Sequence, residues 1–209
     1  MNDQDSIDIA SSDLGTKDFW DDRYNVELAN FKEFGDEGEI WFGTSSEKRI
    51  VQFLITTNCS REAIILDLGC GIDYCDKAVQ LAKSISAEEK KEDESIPDIV
   101  FQQLDITEPE PDFLTKKFNV VLDKGTWDAM SLSDDRETRL SSYHRMLSKT
   151  LANDGLFIIF SCNFTADELR KQFSSEELTF EKEVPALHSI SFGGKQGVTS
   201  TGAVFRKMI

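Results

Sequence analysis

Hydrophobic positions along this chain recur with two alternating periods. Short, nearly continuous apolar runs at residues 63–68, 99–104, 118–122 and 156–160 read as strands buried on both faces. Between them, Ala78, Leu81, Ala82 and Ile85 are spaced by three and four, as are Leu140, Tyr143, Leu147 and Leu151. That spacing predicts helices with one buried stripe. A further helix through Ile50, Phe53 and Leu54, capped by Ser45 or Ser46, precedes the first strand. Asn153-Asp154-Gly155 reads as a turn before the strand at 156–160, and Thr165 with Glu168 as a capping box that places Leu169 and Phe173 inward. Residues 178–184 and 203–205 read as two terminal strands joined by a Gly-rich loop. Strands alternating with amphipathic helices predict an α/β fold: a doubly wound, mostly parallel sheet covered on both faces, with an antiparallel strand at the C-terminal end. Ligands of such sheets sit at the carboxyl ends of the strands, where Gly69, Gly71, Asp105 and Asp123 would gather.

Ahead of this pattern, residues 1–17 are polar and acidic and read as a disordered tail, leaving one domain over residues 18–209. Phe19, Trp20, Phe31, Phe34, Trp41 and Phe42, interleaved with acids, read as a helical arm packed on that domain. With 209 residues and 39% apolar content, one core of ordinary size is expected.

Charge changes the picture more than size. The 39 acidic and 23 basic residues give a net charge of -16, which repels nucleic acid and anionic membranes and suits a basic protein partner; solubility alone would also account for it. Cys59, Cys70, Cys75 and Cys162 lack metal-ligand spacing, so no metal is expected. Neither a membrane-spanning run nor a secretory signal is legible, and a monomer in the cytosol or nucleus is expected.

Three segments carry candidate chemistry. Asp67-Leu68-Gly69-Cys70-Gly71 ends the first strand with an acid and two glycines. A carboxylate there suits a ligand bearing an ammonium group rather than a pyrophosphate, and Tyr74 stands where a dinucleotide fingerprint would place its third glycine. The bland alternative is a structural turn. Asp73 and Asp105 can accept hydrogen bonds from hydroxyl or amino groups of a ligand, or serve as caps. Asp123-Lys124-Gly125-Thr126-Trp127-Asp128-Ala129 follows a buried strand with two acids and a tryptophan that could hold a cationic lysine by charge and cation–π contact; the alternative is a tight turn with Trp127 packed inward. His144 and His188 have no partners at catalytic spacing.

At these residues the chain resembles a known family. Phe19-Trp20-Asp21, Phe31 to Asp36, Gly38 to Phe42, Asp123 to Ala129, Ser161-Cys162-Asn163 and Ser191 to Gly194 are similar to signature segments of the elongation factor 1-alpha lysine methyltransferase 2 family, within the seven-strand S-adenosylmethionine-dependent methyltransferases. The resemblance spans residues 18 to 208. It implies that Asp67, Gly69 and Gly71 contact the methionyl part of S-adenosylmethionine, Asp73 the ribose and Asp105 the adenine. Asp123 would border the cofactor, and with Lys124, Thr126, Trp127 and Asp128 would line the methyl-transfer site. The implied substrate is a lysine of elongation factor 1-alpha.

One departure stands out. In doubly wound folds the acid closing the second strand lies about 20 residues beyond the glycine loop. Here Gly71 is followed at once by Ile72 and Asp73. The first helix and nearly all of the second strand look deleted, which predicts a sheet one strand and one helix short, with the strand at 99–104 beside the first. Two functions compete: a protein-lysine methyltransferase, and a family member impaired in catalysis that acts only as a protein-binding module. A nicotinamide dehydrogenase ranks third because of Asp67 and Tyr74.

Overall fold

The computed structural model describes residues 9–57, 59–186, 190–192, 195–197 and 200–209. Their elements are, in chain order, α1 (Lys17–Phe34), α2 (Gly43–Thr56), β1 (Ile65–Leu68), β2 (Ile72–Asp73), α3 (Asp76–Glu92), β3 (Gln102–Gln103), β4 (Phe118–Lys124), α4 (Thr126–Ser131), α5 (Arg136–Thr150), β5 (Leu151–Ser161), α6 (Ala166–Phe173), β6 (Leu178–Glu183), β7 (Ile190–Phe192), β8 (Lys195–Gly197) and β9 (Thr201–Lys207). Seven strands share one sheet in the order β3-β2-β1-β4-β5-β9-β6, and β7 with β8 forms a separate hairpin. Neighbours from β3 to β5 are parallel, whereas β9 runs antiparallel to β5 and β6.

Successive residues of a strand point to opposite faces, and the two faces carry two cores. Val120, Ile158, Phe160 and Val204 face α2 and meet Ile50 and Phe53. Val121, Phe157, Ile159 and Phe205 face the other way, onto α4, α5 and α6. There Trp127, Tyr143, Phe157 and Phe173 interlock, with Phe173 centred 4.6 Å from Trp127 and 4.9 Å from Phe157.

Several expectations need correction. The sheet has seven strands rather than one fewer, because Ile72 and Asp73 themselves pair on both sides: Ile72 with Leu68 of β1, and both residues with Gln102 and Gln103 of β3. Two residues suffice to continue the ladder even though no helix lies between β1 and β2. The strand expected at 99–104 contracts to Gln102–Gln103 and lies beside β2, not β1. Residues 9–16, assigned by sequence to the tail, pack on the domain: Ser12 donates to the Leu132 carbonyl at 3.0 Å and the Arg136 guanidinium reaches the Ile9 carbonyl. Residues 1–8 lie outside the described residues. Asn153 to Gly155 do not separate α5 from β5 but form an irregularity inside β5, with Asp154 at φ 61°. The capping box at Thr165 and Glu168 is formed in full.

Neither Ser45 nor Ser46 caps α2. Phe42 occupies that position at φ 62°, and Ser46 is buried instead, its hydroxyl 2.8 Å from that of Ser200. Beside it Arg49 is nearly enclosed and donates to three carbonyls, Val184 at 2.6 Å, Ser200 at 2.9 Å and Pro185 at 3.0 Å, while its guanidinium stacks 4.7 Å from the Phe160 ring centre. The guanidinium therefore fastens α2 to the chain between β6 and β9. Replacing Arg49 by Ala leaves those acceptors without donors in a dry site, and a charge-assisted bond is worth about 1.5 to 3 kcal/mol. Urea unfolding of Arg49→Ala should show a loss of about 3 kcal/mol or more, where a surface arginine such as Arg61 should show less than about 0.5 kcal/mol.

Candidate active site

The carboxyl ends of β1 to β4 collect the acids that the sequence singled out, but in two settings. Asp67, Asp73 and Asp105 line one side. Asp67 is half-buried near the end of β1, and its carboxylate accepts no hydrogen bond among the described residues. Burial pushes it up to about 6; Lys124 draws it down and Glu47 adds to the rise. Asp73 accepts from the Cys75 amide at 2.7 Å and is also pushed up to about 6, by burial foremost and by the nearby charges of Asp21 and Asp105. Asp105 is exposed beyond β3, with one oxygen engaged by the amide and hydroxyl of Thr107 at 2.8 and 2.6 Å. Each of these three retains a carboxylate oxygen for a ligand.

The second setting is the segment from Asp123 to Ala129, and its acids are enclosed. Asp123 is 1% exposed. It accepts from the amides of Thr126 and Trp127, both at 3.0 Å, and from the Tyr143 hydroxyl at 2.6 Å. Burial pushes it up to about 7, against the lowering effect of Tyr143, with Asp128 adding to the rise. Asp128 accepts from the Ser161 hydroxyl at 2.5 Å and from the amides of Cys162 and Asn163 at 2.7 and 3.3 Å. It thereby holds the turn that leaves β5. Trp127 is fully buried against Tyr143, His144, Phe164 and Phe173, so the inward packing weighed for it is the one adopted, and the exposed cation–π role is not. Among the described residues its indole Nε1 is the one buried side-chain polar atom left without a hydrogen-bond partner. Lys124 reaches back to the Trp41 carbonyl at 2.9 Å and to Glu47 at 3.6 Å, tying the arm to β4.

The glycines have local reasons. At Gly69, φ is 86°, and a Cβ there would stand 2.4 Å from the Thr126 hydroxyl oxygen. Only glycine leaves that hydroxyl room to donate to the Leu68 carbonyl at 2.9 Å. Gly125, at φ 92°, passes close under the Phe42 ring. Gly71 is restricted more mildly, by the Asp67 carbonyl 3.1 Å from its Cβ position. The structure thus brings Asp67, Gly69, Thr126 and Lys124 together and keeps the carboxylates of Asp123 and Asp128 behind them.

Three participants escaped the sequence pattern. Tyr143 is legible as a core residue of α5, but nothing in its spacing announces a hydroxyl bonded to Asp123. Ser161 carries no signal of its clamp partner 33 residues earlier. Tyr24 of α1 is half-buried, and burial, and then the charges of Asp73, Glu27 and Cys70, raise its hydroxyl well above the ordinary range.

S-adenosylmethionine presents an ammonium group, ribose hydroxyls and an adenine amine. An unpartnered, half-buried carboxylate at Asp67, with free oxygens on Asp73 and Asp105, is a donor-poor, acceptor-rich set that fits those groups. Residues 69–201 match the family model described as "Methyltransferase domain". Over 222 aligned residues the chain is 36% identical to EEF1A lysine methyltransferase 2 of Danio rerio, covering 97% of this chain and 91% of that one. It is 35% identical to protein-lysine N-methyltransferase efm4 of Schizosaccharomyces pombe, covering 95% of each. Among solved structures, the N-methyltransferase NodS of Bradyrhizobium japonicum in complex with S-adenosyl-L-homocysteine shares the fold, with a TM-score of 0.57 at 15% identity over 88% of this chain and 96% of that one. With its sheet order, its acids at the carboxyl ends of the strands and relatives along nearly its whole length, the chain belongs to the S-adenosylmethionine-dependent protein-lysine methyltransferases of the EEF1A lysine methyltransferase 2 and efm4 family.

Proposed function

We propose that this chain methylates the side-chain amine of a lysine in translation elongation factor 1-alpha. The observation that carries the reading on the chain itself is the free carboxylate of Asp67, set beside Gly69 at the end of β1. The named substrate of the relatives and the net charge of -16, suited to a basic protein, support the choice of substrate. The binding-only alternative has less behind it, because the relatives matched over nearly the full chain are named as methyltransferases.

When bound, S-adenosylmethionine supplies an already activated methyl group, so the protein needs no nucleophilic side chain. Its own residues bind and position. Asp67 would hold the ammonium group, Asp73 the ribose hydroxyls and Asp105 the adenine amine. Asp123 and Asp128 act as positioning residues: Asp123 fixes the start of α4, and Asp128 fixes the turn Ser161-Cys162-Asn163 beside it, so the edges of the transfer site keep their spacing. Cys162 and Asn163 are exposed there and can face an incoming lysine.

Three outcomes test this reading. The Asp67 carboxyl titrates at about 6 in the free protein, and only its ionised form attracts the ammonium group. Calorimetric affinity for S-adenosylmethionine should therefore weaken by up to about tenfold per pH unit below 6 and level off above it. Asp67→Asn should bind weakly and lose most of that pH dependence; an affinity flat from pH 5 to 7 in the native chain would remove Asp67 from the site.

No helix N-terminus directly follows Gly71, so the backbone donors it would offer the carboxylate end of the cofactor are missing. The loss of about 3 kcal/mol of such bonding predicts affinity roughly 100-fold below that of the Danio rerio relative titrated in parallel. Equal affinities would show that another part of the chain supplies those donors.

Asn at position 128 would turn its amide donor toward the amides of Cys162 and Asn163 or leave Ser161 unmatched. Asp128→Asn should lower kcat/KM for the protein substrate by about 10- to 100-fold, the equivalent of one lost charge-assisted bond, with cofactor affinity held within about twofold. A parallel fall in cofactor affinity would mean that Asp128 acts on the whole domain and not on the turn.

A further inference from the structure

The acids at the strand ends leave one group of the cofactor without a partner. S-adenosylmethionine carries a carboxylate on the same carbon as its ammonium group, so a ligand held by Asp67 brings that carboxylate among like charges. A helix N-terminus would ordinarily meet it with backbone amides. Here Gly71 leads into β2, and the Gly69 amide donates to the Ile72 carbonyl at 2.9 Å. A cation from elsewhere in the site has to take their place.

The register of β1 and β4 supplies one. Asp67 stands beside Leu122, and Lys124 follows two residues on, so the Asp67 and Lys124 side chains rise on the same face of the sheet. Strand spacing and rise put their Cα atoms about 8 Å apart, close enough for one amino-acid group to bridge the two side chains. Lys124 Nζ donates to the Trp41 carbonyl at 2.9 Å and lies 3.6 Å from a Glu47 oxygen, an ion pair too long for a hydrogen bond. An ammonium has three donors, and among the described residues Trp41 takes one of them. The charge of Lys124 acts on Asp67 and on Cys70 inside the glycine turn. Its side chain is 23% exposed against 45% for Glu47, so of the two partners Glu47 is the one free to turn away into water.

We propose that Lys124 binds the carboxylate at the methionyl end of S-adenosylmethionine, and that Glu47 pairs with this cation in the free protein and yields it to the ligand. The proposal rests on the cofactor reading given above. The two charges of one ligand group then meet two opposite charges side by side, ammonium on Asp67 and carboxylate on Lys124. One side-chain ammonium makes good part of the bonding that the absent amides would have given. The bond to Trp41 is kept, so the arm stays tied to β4.

Calorimetry at about pH 7.5, where Asp67 is ionised, tests it with three ligands. These are S-adenosylmethionine, its decarboxylated form, which keeps the sulfonium and ammonium groups, and methylthioadenosine, which lacks the whole amino-acid end. The native chain should prefer S-adenosylmethionine over the decarboxylated form by about 10- to 100-fold, the worth of one charge-assisted bond. Lys124→Met should bring the two within about twofold while binding methylthioadenosine as the native chain does, and Lys124→Arg should keep most of the preference. Glu47→Gln, which leaves Lys124 in place and removes its competitor, should widen the preference by about two- to fivefold. A native chain that binds both forms equally overturns the proposal. So does a preference that survives Lys124→Met or fails to widen in Glu47→Gln. If methylthioadenosine binds and no preference is seen, the cofactor reading stands and Lys124 alone is removed; if none of the three ligands binds, that reading falls and this proposal with it.

Discussion

The buried carboxylate of Asp123 is the point on which the site depends. A carboxyl group shut away from water loses most of its hydration, and burial foremost, against the lowering effect of its donors and with Asp128 adding to the rise, pushes this one up to about 7. It remains there because three donors converge on it from two elements: the amides that open α4 and the hydroxyl of Tyr143 in α5. Those bonds turn the chain sharply after β4 and send Trp127 into the core. They also set Thr126 where its hydroxyl reaches β1. One acid thus couples β4, α4, α5 and β1, and an apolar residue in its place would leave three donors unmatched, two of them buried.

Asp128, one turn further on, repeats the device toward β5. Its oxygens gather a hydroxyl and two amides from the turn that leaves the strand. The carboxylates on this side therefore shape the site from behind, while those of Asp67, Asp73 and Asp105 keep oxygens free to meet a ligand. The two groups differ by burial and by donor supply, not by residue type. A list of aspartates at strand ends cannot separate them.

This is where sequence reading succeeded and where it stopped. Apolar runs located β1, β4 and β5 because strands buried on both faces need them, and the capping box located α6 because its two side chains are three residues apart. The inward fate of Trp127 could be stated only as an alternative, since it rests on Phe164 and Phe173, far along the chain. Phe42 could not be read as the residue before α2: its left-handed conformation goes against its type, and it is held by the packing of its ring over Gly125. Ile72 and Asp73 were too short a segment to register as a strand. They become one only because β1 and β3 are both present to pair with them.

The short link has a further consequence for the glycine turn. In a doubly wound fold the turn ordinarily delivers the chain into a helix whose first amides face the ligand. Here it delivers the chain into β2, with the Gly69 amide donating to the Ile72 carbonyl at 2.9 Å. That amide is spent on closing the turn, and the space above Gly69 is taken by Thr126. The same constraint that keeps the ladder of seven strands continuous thus removes backbone donors from the pocket and a covering helix from the sheet. What remains open at this end is carboxylate chemistry, with Asp67 the acid that accepts no hydrogen bond among the described residues. The loss of the covering helix is felt on the far side of β1, where Ile65 faces solvent.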